Sequence, residues 1–201
     1  MKPDAAATGR VAWRRYALIF APALVIAGLT VGMAGEGALA ASFAISGPEF
    51  KLSAEKLDGH GFVSYSSYDT TADGKHVAVT PAGFHDATLH KLCQSVVSPS
   101  PFGPITMRLT AGTGDTPVTA SNMVADFNEL SGDITFTDYA GGVDAAHLKG
   151  GPTTGEAGQW GQQAGVIHID NLHQNTLSTT AATFVLSGLK INVSFGKNEC
   201  Y

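Results

Sequence analysis

The chain has 201 residues, with 12 Lys and Arg against 17 Asp and Glu, a formal net charge of −5 at pH 7. From Ala41 onward eight basic residues face fifteen acidic ones, a balance of −7 that argues against nucleic acid and anionic headgroups as partners and fits a soluble exported surface. Only 14% of residues are charged, amphipathic helical patterns are missing, and small residues are plentiful, which points to a β-rich domain.

The run YALIFAPALVIAGLTVGM, Tyr16 to Met33, carries no charge. Lys2, Arg10, Arg14 and Arg15 precede it and Glu36 follows, the arrangement that inserts with its basic end in the cytoplasm. The organisation expected is a cytoplasmic basic segment over 1–15, a transmembrane or signal segment over 16–40, and an extracytoplasmic β domain over 41–201. Ala38, Leu39 and Ala40 form a small-x-small cleavage signature. A retained anchor stays open as the alternative, because the apolar run exceeds the roughly 7 to 15 residues of a usual signal core and Pro22 is tolerable in a membrane helix. The Arg14-Arg15 pair lacks the rest of a twin-arginine signal. The localisation expected is therefore the cell membrane, single-pass with the N-terminus inside, or secretion after cleavage near Ala40.

Alternation of apolar and polar residues makes Ser42 to Leu57 a strand. Asp58-Gly59-His60-Gly61 reads as a turn before the strand FVSYSSY, in which Phe62, Ser64 and Ser66 oppose Val63, Tyr65 and Ser67. TTADGK, Thr70 to Lys75, reads as the turn of a hairpin. Ala87 to Val97 favours strand, and Pro99, Pro101 and Pro104 mark the loop after it. Ile105 to Leu109 and the stretch from Val118 to Tyr139 follow as strands, with a single helical turn conceivable near Asp126. Lys149 to Gly165 holds six glycines and no apolar periodicity, a long loop of functional or disordered character. Within it Trp160 is either a candidate ligand contact or the pin that fastens the loop to the core. Three strand-like runs close the chain. The fold class expected is mainly β, one antiparallel domain built as a curved sheet, sandwich or partial barrel, preceded by one N-terminal membrane or signal helix.

Cys93 and Cys200, the only cysteines, most simply form one disulfide in an oxidising compartment; the alternative is two unpaired thiols. Neither lies in a CxxC or metal-ligand spacing, and no metal or other cofactor is expected. His168, Asp170 and His173 make a weak metal pattern that reads better as a solvated polar face, as do His85, Asp86 and His90. No Gly-x-Ser-x-Gly turn, phosphate loop, HExxH or dinucleotide fingerprint occurs, so no catalytic residue is assigned. A looser regularity joins Leu89-His90-Lys91-Leu92, Phe127-Asn128-Glu129-Leu130, Ile169-Asp170-Asn171-Leu172 and the Leu52–Leu57 stretch. It is either a strand-corner unit repeated around a curved sheet or a chance recurrence of leucine.

The segments GALAASFAISG, FKLSAEKLDGHGF, LCQSVVSP, MRLTAG, GQQAGVIHIDNL and GKNECY resemble a family of exported actinobacterial, Streptomyces-type proteins over nearly all of residues 10 to 201. The resemblance implies export, and through a label carried by some members it suggests cholesterol esterase activity; it supplies no catalytic positions. Two functions are carried forward. One is a non-enzymatic envelope protein binding a lipid or another envelope protein through its β domain, of unassigned oligomeric state; the other is an extracytoplasmic lipid-ester hydrolase. A closed core is the default for a domain of this size. A lipid groove, if present, would be lined by Ile134, Phe136, Ile167, Ile169, Phe184 and Leu186.

Overall fold

The computed structural model describes residues 49–201. The basic stretch 1–15, the expected membrane or signal helix of 16–40 and the cleavage signature at Ala40 lie outside the described residues. Ten strands run in chain order: β1 (Phe50–Tyr65), β2 (Ser67–Thr70), β3 (His76–His90), β4 (Leu92–Ser98), β5 (Ile105–Ala111), β6 (Val118–Thr137), β7 (Ala140–Asp144), β8 (Trp160–Thr180), β9 (Thr183–Val185) and β10 (Lys190–Phe195). One 3₁₀ turn, Ala145–His147, separates β7 from β8. No helix among the described residues is long and apolar enough to cross a membrane, which says nothing of strands.

All pairings are antiparallel, and four of them close a ring: β1 with β3, β3 with β6, β6 with β8, and β8 back to β1. The shorter strands prolong these staves. β4 continues β3 along the same edge of β1, since Ser53 opposite Cys93 extends the register of Lys56 opposite His90. β9 likewise continues β8 along β6, while β5 pairs with β4 on one side and β10 on the other. The curved sheet is thus a closed barrel with a flange, β1-β4-β5-β10, splayed from one end.

Few strands normally enclose little space, and stagger is what widens this barrel. The rung that starts at Gln162 on β8 crosses Ser64, Ala82 and Ala125 and meets β8 again at Thr179, 17 residues further on. Long, steeply tilted strands follow from that stagger, and the 21 residues of β8 and 20 of β6 supply them.

Such long strands must bend, and left-handed residues mark where they do. Lys91 (φ 51°) and Asn171 (φ 55°) occupy the third place in two of the four recurrent leucine units. Each stands where the inward set changes parity, as from Ile167 and Ile169 to Leu172 and Gln174 on β8. Gly61 (φ 64°) marks the same change on β1, from Leu57 to Phe62 and Ser64, with the register to β3 and β8 kept. The turn expected at Asp58–Gly61 is therefore not a turn: β1 passes straight through it. Gly59 is there because a side chain would meet the Phe84 ring at 2.6 Å and Ile167 at 3.0 Å. β6 also runs unbroken past Asp126, where a helical turn was conceivable, with register shifts in place of a helix.

The expected hairpin at Thr70–Lys75 joins β2 to β3, with Thr71 and Lys75 closing it. The glycine-rich loop is shorter than expected, because β8 already begins at Trp160. Residues 149–159 fold over the outer face of β1, where Gly151 lies against Val63 and the Tyr65 hydroxyl meets Thr153 Oγ1 at 2.9 Å. Val63, Tyr65, Ala145 and Leu148 form a small apolar cluster there, apart from the main core inside the barrel.

Candidate functional site

The barrel interior is not filled by its own side chains. A cavity of about 280 Å³ remains, roughly twice the ~150 Å³ of a dry apolar cavity that accepts benzene. Its wall is apolar over most of its extent, with Leu57, Phe62, Phe84, Ile167, Ile169 and Phe136 around the waist. Ile134 and Phe184, half-exposed, also border it, and Leu186 packs on the same core. Except for Phe184 on β9 and Leu186 just after it, these residues come from β1, β3, β6 and β8, whose side chains alternate between the two faces. Ala82 and Ala125 are the reason space is left at one end: two methyl groups stand on a rung where larger side chains would meet.

The same rung carries polar atoms. Ser64 Oγ and Thr179 Oγ1 are buried, border the cavity, and have no hydrogen-bond partner among the described residues. At the other end Gln174 Nε2 is in the same condition, with Leu52 between it and Gln94 on the same rung. A buried polar group without a partner costs about 1–3 kcal/mol, so these atoms are held against a penalty that a ligand's oxygen or a water would relieve. Gln162 joins Ser64 on its rung and lines the same space.

Beyond Gln174 the cavity wall runs out onto the flange. One rung passes Leu130, Gln174, Leu52, Gln94, Leu109 and Ile191, going from cavity wall through the half-buried Leu109 to an exposed side chain on β10. The opposite face of the flange is polar and covered by the C-terminal tail. There Cys93 and Cys200 form the expected disulfide, across 107 residues of sequence. Lys51 holds Glu199 at 3.4 Å and the Tyr201 carbonyl at 3.0 Å, and the Tyr201 ring stacks on His173 at 4.3 Å.

His173 therefore stands apart from His168 and Asp170. The His168 ring lies between two carboxylates, Nδ1 at 2.6 Å from Asp58 and Nε2 at 3.1 Å from Asp170. The Asp58 bond chiefly raises the His168 pKa. For Asp58 itself, partial burial pushes upward but is outweighed by hydrogen bonds from His168 and Lys56, leaving the pKa lowered. With both ring nitrogens engaged, the trio is an ionic clasp between β1 and β8. Among the described residues no group of three His, Cys, Asp or Glu is arranged to hold a metal ion.

A second acidic group sits on the outer wall beneath the loop. Burial raises the pKa of Asp126 against the bond it accepts from Ser178. Burial, then the charge of Asp126, raises that of Asp69. Tyr65 between them is raised by burial and, more weakly, by both carboxylates. Trp160 is half-exposed at the first residue of β8, opposite Asp144, and does not border the cavity. The loop is pinned instead by Gly151 and Thr153.

A family model described as a family of unknown function (DUF6230) matches residues 46–201. The chain belongs to this family. No curated protein and no solved structure matches it. The family's matched region takes in the whole barrel, its flange and the C-terminal tail, so cavity and disulfide both lie within it. Ser64 had a signal in the sequence, being placed on one face with Phe62. Gln174, Thr179, Ala82 and Ala125 had none, because their pairing depends on a stagger that only the closed ring defines.

Proposed function

We propose that this domain is a non-enzymatic cell-envelope protein whose barrel holds the acyl chain of a single-chain amphiphile. One observation carries the reading: an apolar cavity of about 280 Å³ with unpartnered buried polar atoms at both ends. Scaled from the benzene-sized cavity, that volume suits about a dozen carbons. The polar atoms favour a ligand that bears an oxygen-containing head over a plain hydrocarbon. The uncharged run at Tyr16–Met33, the acidic balance of the residues after it and the resemblance to exported actinobacterial proteins support a ligand on the outer side of the cytoplasmic membrane.

The lipid-ester hydrolase reading rests on the cholesterol esterase label alone. The Ser64 hydroxyl, the best-placed nucleophile in the cavity wall, has no partner to accept its proton, and none of the cavity-lining residues is a histidine. Binding is therefore the stronger proposal.

Dodecanoic acid titrated into purified protein, followed by displacement of a fluorescent fatty acid, tests it. The expected result is saturable 1:1 binding that weakens at least tenfold in Ala82→Leu, which fills the cavity. Absence of saturable binding at every chain length would overturn the reading. Serine-inhibitor-sensitive turnover of a chromogenic acyl ester would replace it with the hydrolase.

A further inference from the structure

Among the described residues nothing covers one apolar face of the flange. Alternate positions of its four strands put Phe50, Val96, Met107 and Val193 on a single rung and Ser98, Ile105 and Phe195 on the next. None of these side chains is charged, and the outermost are the most exposed: Met107 46%, Ile191 58%, Val193 64% and Phe195 68%. Phe102, at the tip of the β4–β5 loop beside the end of the flange, is 87% exposed. The reverse face carries Arg108, Thr110 and Asn192 and the disulfide-bound tail, so the flange is amphipathic across its thickness. Contiguous exposed apolar surface of this kind marks an interaction site.

We infer that this face docks on a lipid bilayer. Two observations choose the bilayer over a second copy of the chain. First, the tether: with Tyr16–Met33 retained as the anchor, on which this argument rests, sixteen residues, Ala34 to Glu49, separate Met33 from Phe50. That spans at most about 55 Å when extended. Phe50 is the first residue of β1 and belongs to the apolar face, so the end of the barrel nearest the tether is the flange end. Second, continuity: the rung from Gln174 through Leu52 and Leu109 to Ile191 joins the cavity wall to this face. An acyl chain could pass between bilayer and cavity along side chains that keep it from water. Phenylalanines at the tip and a polar reverse face are what an element lying in the interface requires.

The test uses the full chain with Trp13→Phe and Trp160→Phe, so that a single introduced indole reports. Phe195→Trp places it on the apolar face and Asn192→Trp on the polar one; Val193→Trp substitutes should the first variant misfold. Each is reconstituted into phosphatidylcholine vesicles with plain or brominated acyl chains. The expected result is loss of more than half the Phe195→Trp emission to brominated lipid, with Asn192→Trp unaffected. Equal quenching of the two reporters overturns the inference. So does an unquenched but water-shielded Phe195→Trp in a chain that sediments as a dimer, which assigns the face to a second copy. Adding Ala82→Leu separates this inference from the cavity: quenching persists when fatty-acid binding is lost, and docking stands even if the barrel proves to bind nothing.

Discussion

Ser64 on β1 and Thr179 on β8 share one rung of the barrel wall, with only Ala82 and Ala125 between them. Both hydroxyls are buried without a partner, and both face the space the alanines leave. Two polar atoms aimed into an apolar void are costly in the empty protein and useful in the filled one. Replacing both, as Ser64→Ala with Thr179→Val, is therefore expected to leave stability unchanged or raise it by about 1–2 kcal/mol in thermal unfolding. The same variant is expected to bind dodecanoic acid several-fold more weakly while binding dodecane as before. A fall in stability would mean that the hydroxyls serve the fold.

The loop over the outer face is held through Gly61. A side chain there would run into the Gly150 carbonyl and the His85 ring, and the left-handed backbone adds strain for any residue with a Cβ. Gly61→Val is expected to cost about 1–3 kcal/mol and to release residues 149–159 before the barrel opens. Limited proteolysis should then cut first within 149–159, whereas Gly150→Ala, with nothing near its missing Cβ but φ 91°, should cost about 1 kcal/mol and leave the cutting pattern unchanged.

Asp126 and Asp69 have raised pKa values, caused first by burial and, for Asp69, next by the neighbouring Asp126 charge. An acid whose folded pKa lies above its unfolded value favours the folded state when protonated. The benefit is complete below the ordinary value of 3.8 and is lost as pH rises through the raised one. At neutral pH the buried charge therefore works against folding. Asp126→Asn keeps an oxygen for the Ser178 hydroxyl and removes the charge, so it is expected to stabilise the protein at pH 7 and to be neutral below about pH 4. His168 works in the opposite sense at neutral pH. Its raised pKa makes its clasp strongest below the ordinary 6.5, and that contribution fades as pH climbs through the folded value. The lowered pKa of Asp58 limits the clasp on the acid side, below 3.8. Thermal melts of wild type, Asp126→Asn and His168→Gln across pH 3 to 9 separate the two groups.

Strand content was legible because alternation survives even in a sheet this bent: Phe62 with Ser64, Ile105 with Met107 and Leu109, and Ile167 with Ile169 each fall on one face. Strand length was not. Asp58-Gly59-His60-Gly61 has turn composition, yet Gly59 is there for the Phe84 ring and Gly61 for a left-handed backbone, and both uses lie within a strand. The recurrent leucine units had a physical basis at two of four places, in the left-handed Lys91 and Asn171. Their meaning, a change of inward parity, needs the partner strand to be seen. The cavity was the least legible feature. It arises from the 17-residue stagger that brings Thr179 onto the rung of Gln162 and Ser64, and no local pattern encodes a stagger.

The Cys93–Cys200 disulfide ties the last residues to β4 and closes a loop of 107 residues, worth up to about 4–5 kcal/mol by chain entropy. Its contacts are confined to the polar side of the flange and its neighbour β8. Cys200 N donates to Ser95 Oγ at 3.0 Å, Thr106 Oγ1 donates to the Gly196 carbonyl at 2.6 Å, and Asn198 N donates to Thr106 Oγ1 at 3.1 Å. Ser95 and Thr106 are buried by this tail rather than by the barrel, so losing the tail would wet the flange and leave the β1-β3-β6-β8 ring closed. Reduction, or Cys93→Ser with Cys200→Ser, is expected to raise amide exchange first in residues 50–53, 92–111 and 190–198, with the rest of β1 and β3 unchanged until global unfolding. Hydrogen exchange with and without reductant checks this. A uniform rise over all ten strands would show that the bond stabilises the barrel as one unit, and the flange would then not be a separately opening part of the molecule.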